Sequence, residues 1–145
     1  GTLCRQYLPP VLPDGFESDR PFTRQINQSD PISEGGSTFT GYSVEVNSTY
    51  EVRTAIDELL TDSNIASRTH FIYAYRFGEG TQLEENYQSD GDYGIGVEIL
   101  KHMRDQSINN QLFVATRNCC PKTFQHIGRK RIENAIKVCV DAYES

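Results

Sequence analysis

Four blocks between Thr69 and Gly128 constrain this chain more than anything else in it. In T-H-F-I-Y-A-Y-R-F (Thr69 to Phe77), Phe71, Tyr73, Tyr75 and Phe77 alternate with His70, Ile72, Ala74 and Arg76. That period of two sorts an aromatic set and a mixed set onto opposite faces of a strand. S-D-G-D-Y-G-I-G (Ser89 to Gly96) follows as turn chemistry opening into a helix, with Ile99, Leu100 and Met103 at inward spacing. The apolar run L-F-V-A-T-R (Leu112 to Arg117) predicts a buried strand, and P-K-T-F-Q-H-I-G (Pro121 to Gly128) a second helix entry. Two strands ending in Arg, each adjoining a polar helix entry, gather charge where α/β sites tend to lie.

The flanks complete an α+β frame. Residues 1–21 carry Pro9, Pro10, Pro13 and Pro21 without periodicity and predict an extended arm, with one domain over 22–145. Strands are expected at Phe22 to Gln28 and Ser37 to Val46, with Phe39, Gly41, Ser43 and Glu45 on one face of the latter and Tyr42, Val44 and Val46 on the other. Ser48 and Glu51 form a capping box ahead of a helix whose stripe is Val52, Ile56, Leu59 and Leu60. Gly78 to Ser89 predicts a polar loop, and a last helix is expected over about 123–143. The order ββα-βα-βα implies a two-layer sandwich, a four-stranded sheet with helices packed on one face.

A chain of 145 residues at −6 net charge is one domain by length and can bury a sizeable core. Residues 118–145 hold five Lys/Arg against three Asp/Glu, so they carry +2 and the remainder −8. That balance argues against tight non-specific nucleic-acid binding. No apolar run reaches the ~20 residues that span a bilayer, the first residues lack a signal-peptide core, and no membrane association is expected. The four cysteines, Cys4, Cys119, Cys120 and Cys139, show no C-x-x-C spacing, which favours reduced thiols in a cytoplasmic protein. A zinc site would need Cys119, Cys120, His126 and Cys139 to converge without any recognised spacing, and no metal or cofactor is expected. A monomer is expected.

The acidic turn admits three chemistries. As a phosphate loop it lacks G-K-[ST], and Asp90 and Asp92 would repel an anion. As a calcium loop it lacks the later bidentate Glu. As a helix entry, its carboxylates accept backbone N–H bonds, and this reading is preferred. Arg76 and Arg117, ending buried strands, demand carboxylate or anion partners. The expectation is that Asp90 and Asp92 cap the helix and that at least one pairs with Arg76 or Arg117. If the two arginines converged on an open cavity, they could instead clamp an anionic small molecule, with His70, Asp90 or Asp92 as acid–base groups. No nucleophile elbow or other catalytic constellation accompanies them, so an enzyme is not expected. Lys122, His126, Arg129, Lys130 and Arg131 form a basic patch: a solvated helix face, or a docking surface for an acidic protein or an RNA backbone.

These blocks resemble the Impact family, whose bacterial branch includes the YigZ-like proteins. Members carry T-H-N-x-x-A-Y-R, D-D-G-E, V-V-V-S-R-W-Y-G-G and L-G-P-D-R-F-K-H-I. Upstream, D-P-I-S-E-G-G-S-T-F (Asp30 to Phe39) is similar to the family's P-(I/L)-x-D-x-(K/R)-S-x-F. The resemblance covers about residues 22–140, with His70 and His126 matching the motif histidines. It departs at Asp92, where members have Glu, and at Asn118-Cys119-Cys120, where they have an aromatic and two glycines.

The resemblance implies a fold similar to domain four of elongation factor G. It implies a non-enzymatic regulator that binds the ribosome-associated activator of the Gcn-type initiation-factor-2 kinase and restrains the starvation response. Some members also bind actin. Better-known members add an N-terminal RWD domain, so this chain resembles a single-domain member or a fragment without it. An RNA- or ribosome-contacting domain is the alternative that the elongation-factor-like fold suggests.

Overall fold

The computed structural model describes residues 24–119 and 128–145. Among them run β1 (Asn27–Gln28), β2 (Ile32–Glu34), β3 (Ser37–Glu45), α1 (Thr49–Leu60), α2 (Ser63–Ala66), β4 (His70–Phe77), β5 (Glu84–Gln88), α3 (Ile95–Asp105), β6 (Gln111–Cys119) and α4 (Arg129–Glu144). The class is α+β, as the alternation of periods implies. The strands form one antiparallel sheet in the order β1-β3-β6-β4-β5, with β2 pairing β3 beside β1.

Two features correct the expected layout. The sheet has six described strands rather than four, because Ile32–Glu34, between the first two expected strands, and Glu84–Gln88, within the expected loop, add short edge pairings. Their sequences, I-S-E and E-E-N-Y-Q, are polar because edge strands meet water. The helices also divide between the two faces. Phe39, Ile72, Ala74, Phe113 and Ala115 pack with α3 and α4. Tyr42, Val44, Phe71, Tyr73, Tyr75, Leu112 and Val114 pack with Val52, Ala55, Ile56 and Leu59 of α1. Central β6 is buried on both sides over Leu112 to Arg117, so Leu112, Phe113 and Val114 each contribute ~1.5–3 kcal/mol in one core or the other.

Local signals explain the element ends. The Ser48 hydroxyl accepts the Glu51 N–H at 3.1 Å, and the Glu51 carboxylate reaches back to the Asn47 N–H at 2.7 Å. That is the capping box, with the return bond one residue further upstream than the motif prescribes. Gly41 lets α4 lie directly on β3, since a Cβ there would meet the Val138 carbonyl at 2.3 Å. The described last helix runs Arg129–Glu144 and is entered from Gly128 at φ 59°; the expected start near 123 lies outside the described residues. The expected arm 1–21, and Phe22 and Thr23 of the expected first strand, lie outside the described residues; strand pairing begins at Asn27.

Candidate functional site

The register of β4 against β6 determines which charged residues meet. The strands are antiparallel, pairing His70 with Arg117 and Arg76 with Gln111. The two strand-ending arginines therefore stand at opposite ends of the sheet, six residues (117 − 111) apart along β6, or ~20 Å at strand rise. No shared pocket for Arg76 and Arg117 exists, and the anion clamp that required their convergence is not formed.

At one end stands the acidic turn. β5 stops at Gln88 opposite Tyr73, which leaves the outward N–H of Phe71 without a strand neighbour. The Asp90 carboxylate takes that N–H at 2.7 Å and so extends the ladder by one bond. To reach it, Asp90 adopts φ 49°, a left-handed conformation that Asp tolerates better than most residues. The His70 Nδ1–H donates to the Asp90 carbonyl at 2.8 Å, which fixes the proton on that ring nitrogen. Ser89 serves the helix instead of the aspartates: its hydroxyl accepts the Gly96 N–H in the first turn of α3 at 2.9 Å. The expectation that Asp90 and Asp92 side chains cap α3 is thus corrected. Asp90 is occupied by β4 and Asp92 by arginine, and the cap comes from the residue before them.

Asp92 is 7% exposed, and each of its oxygens faces a guanidinium. Arg117 donates to one at 2.8 Å and Arg131 to the other at 2.9 Å. Arg117, 2% exposed, also donates to the Ser37 hydroxyl at 3.0 Å and lies 5.5 Å from the Phe39 ring centre. The predicted carboxylate–arginine pairing is present as Asp92 with Arg117. Sequence reasoning counted Arg131 with the basic patch; its partner, 39 residues away in the chain, was not visible from helical spacing alone. On the opposite face of the same sheet end, Arg68 donates to the Tyr42 and Thr116 hydroxyls at 2.7 and 2.8 Å, a contact no motif announced.

At the other end, Arg76 pairs with Glu85 at 3.0 Å, and Arg104 of α3 holds the second Glu85 oxygen. Arg76 also donates to the Met103 and Ile108 carbonyls, which closes the end of α3. The Arg104 guanidinium, with burial opposing it and Arg76 reinforcing it, holds the Glu85 carboxyl below the usual carboxylate range. Burial pushes the Tyr73 hydroxyl and the Cys139 thiol up, so neither ionises at neutral pH. Cys139 is enclosed in the α4 core, and Cys119 is half-buried at the end of β6.

Arg129 and Lys130 are exposed on the first turn of α4, with Arg129 reaching Glu98 only at 3.9 Å. Lys122, His126 and Cys120 lie outside the described residues. Among the described residues, no group of His, Cys, Asp and Glu is arranged to hold a metal ion, and no helix is long and apolar enough to cross a membrane. Two clefts of about 490 and 410 Å³ lie elsewhere. One is beside Asn47, Phe77 and Leu83, the other between Arg24, Glu45 and Tyr143. The acidic turn is closed by its own arginines rather than open to a small anion.

The model describing the Impact N-terminal domain matches residues 35–143, which includes both ion clusters and the sheet between them. The chain belongs to the Impact N-terminal domain family. The Impact homologue of Schizosaccharomyces pombe is 30% identical over 108 residues, covering 70% of this chain and 38% of that protein. Human Protein IMPACT is 30% identical over 110 residues, covering 71% of this chain and 34% of that protein. The chain thus spans well under half the length of these Impact relatives.

Among solved structures, the two-domain translational regulator Yih1 superposes with a TM-score of 0.57 at 23% identity, covering 97% of this chain and 54% of that one. A crystal structure of a hypothetical protein gives a TM-score of 0.65 at 11% identity, covering 83% of this chain and 61% of that one. At these identities the two likenesses establish the Impact fold and nothing finer.

Proposed function

We propose that this chain is a non-enzymatic protein-binding module of a translational regulator, acting in the cytoplasm. Its partner on this reading is the ribosome-associated activator of the Gcn-type initiation-factor-2 kinase, and binding restrains that kinase by competition. The observation that carries the reading is the match of the Impact N-terminal domain across residues 35–143. A relative in fold, Yih1, is described as a translational regulator. The site geometry supports the same direction. Arg76 and Arg117 are held by Glu85 and Asp92, so the acidic turn serves to shape a surface rather than to bind a small anion.

The test is competition. The chain is titrated against the immobilised kinase-binding region of the activator, and the amount of kinase domain retained is read. The proposal expects saturable binding and displacement of the kinase. Binding without displacement, or no binding, refutes it for this chain. Filter binding to RNA across a salt series separates the alternative, since a phosphate contact weakens steeply with salt.

A further inference from the structure

We propose that Tyr93, Arg129 and Lys130 form a preorganised docking patch for an acidic segment of a partner protein. The inference rests on the protein-binding reading above and gives it a surface. Among the described residues Tyr93 is 81% exposed, whereas the next most exposed large apolar side chains, Tyr143 and Tyr87, reach 40% and 38%. An aromatic ring left in water is unremarkable on a mobile loop. Tyr93 is not on one.

The residues around it are fixed from three directions. Asp90 is tied to the Phe71 N–H and to His70, Ser89 to the Gly96 N–H, and Asp92 to Arg117 and Arg131. Asp90 and Gly94 both hold left-handed backbone, at φ 49° and 93°. A buried ion cluster and a left-handed non-glycine residue each carry a free-energy cost, and proteins retain such costs where a specific geometry is needed. Here the geometry presents Tyr93 to solvent.

The same cluster joins the segment that carries Tyr93 to the basic first turn of α4. The Asp92–Arg131 bond sets the first turn of α4 against the acidic turn. The two residues preceding Arg131, Arg129 and Lys130, are exposed, with the Arg129 side chain at 72%. Asp92 does not repel an acidic ligand, because two guanidinium groups cover its one charge. Exposed aromatic and arginine side chains are the residue types that carry binding energy at protein interfaces, and rigidity lowers the entropy lost on binding.

The chemistry favours an acidic protein segment over RNA. One ring cannot stack a run of bases, and Glu98 and Glu133 interrupt the line of cations. A short acidic segment with one apolar side chain needs only one ring and two charges.

Two probes test the patch: a fluorescein-labelled peptide of about twelve residues repeating Asp, Leu and Glu, and the activator's kinase-binding region. Variants are Tyr93→Ala, the pair Arg129→Glu with Lys130→Glu, and Lys137→Glu as a control further along α4. Thermal melts confirm that each variant is folded. Peptide affinity is expected to fall about tenfold or more for Tyr93→Ala and for the charge-reversed pair, to weaken with salt, and to stay unchanged in Lys137→Glu.

No peptide binding, equal affinity in all variants, or tighter binding of poly-uridine than of the peptide through these residues overturns the patch. If the activator region binds and ignores Tyr93, the patch is wrong and the regulatory reading stands. If the peptide binds through Tyr93 while the activator region does not bind, the patch stands and the choice of partner fails.

Discussion

The two ends of the sheet carry the same chemical unit in different solvent. Arg117–Asp92–Arg131 and Arg76–Glu85–Arg104 are each one carboxylate between two guanidiniums. Side-chain exposures are 2%, 7% and 20% in the first, and 14%, 23% and 48% in the second. Composition is therefore not what separates them. In the buried cluster, any unpaired charge has no water to fall back on, so the partners enforce one another. In the exposed cluster, water and salt can replace each partner at small cost.

The largest expected effect comes from breaking the buried cluster on one side. Asp92→Asn leaves Arg117 enclosed without its counter-charge and is expected to lose ~3–5 kcal/mol of stability, read as a fall in the urea midpoint with the slope unchanged. Replacing the buried pair together, Asp92→Leu with Arg117→Met, should recover much of that loss, because the penalty lies in the orphaned charge.

Asp90→Ala comes next, at ~1–3 kcal/mol for the unsatisfied Phe71 N–H, with added strain from alanine at φ 49°. Asp90→Asn should lose less, since an amide oxygen still accepts the bond and Asn tolerates left-handed backbone. Both losses should appear in thermal melts with or without a partner present.

Glu85→Gln should cost ~1 kcal/mol or less, and that difference should shrink with added salt while the Asp92 effect persists. Its pH dependence has a definite sign. The folded-state pKa of Glu85 is depressed, chiefly by Arg104. Its contribution is fully present above the unfolded carboxylate value of about 4.3 and is lost as pH falls through the lower folded value. Wild type and Glu85→Gln should differ by a constant amount at neutral pH and converge in acid. The smallest effect belongs to Tyr93→Ala, expected to shift stability within ~0.5 kcal/mol, because an exposed ring contributes little to the core.

Much of the fold was legible because hydrophobic period reports burial directly. The β4 alternation separates Phe71, Tyr73 and Tyr75 from Ile72 and Ala74 as the two cores do. The Ser48–Glu51 box marks the start of α1. The second covered face was also legible in principle. Leu112 to Ala115 is apolar in both registers, and a strand with one wet face would alternate instead. The edge strand Glu84–Gln88 carried no such signal, since its side chains meet water and only its backbone pairs.

At the site, the sequence showed that two strand-ending arginines needed carboxylates. It could not show strand direction. Antiparallel pairing sends Arg76 to Glu85, nine residues along the chain, and Arg117 to Asp92, 25 residues back. The pairing of Arg131 with Asp92 stayed hidden because the two lie on different elements, beyond what local spacing encodes.

The central claim is that burial welds the acidic turn to β6 and α4 while the same chemistry at the far end remains a surface pair. Double-mutant cycles of Asp92 with Arg117 and of Glu85 with Arg104, both read by urea unfolding, test it most directly. The account predicts a coupling of ~2–3 kcal/mol for Asp92 with Arg117, little affected by salt, against less than ~1 kcal/mol and salt-sensitive for Glu85 with Arg104. Equal couplings at the two ends, or a buried coupling that vanishes in high salt, would contradict it.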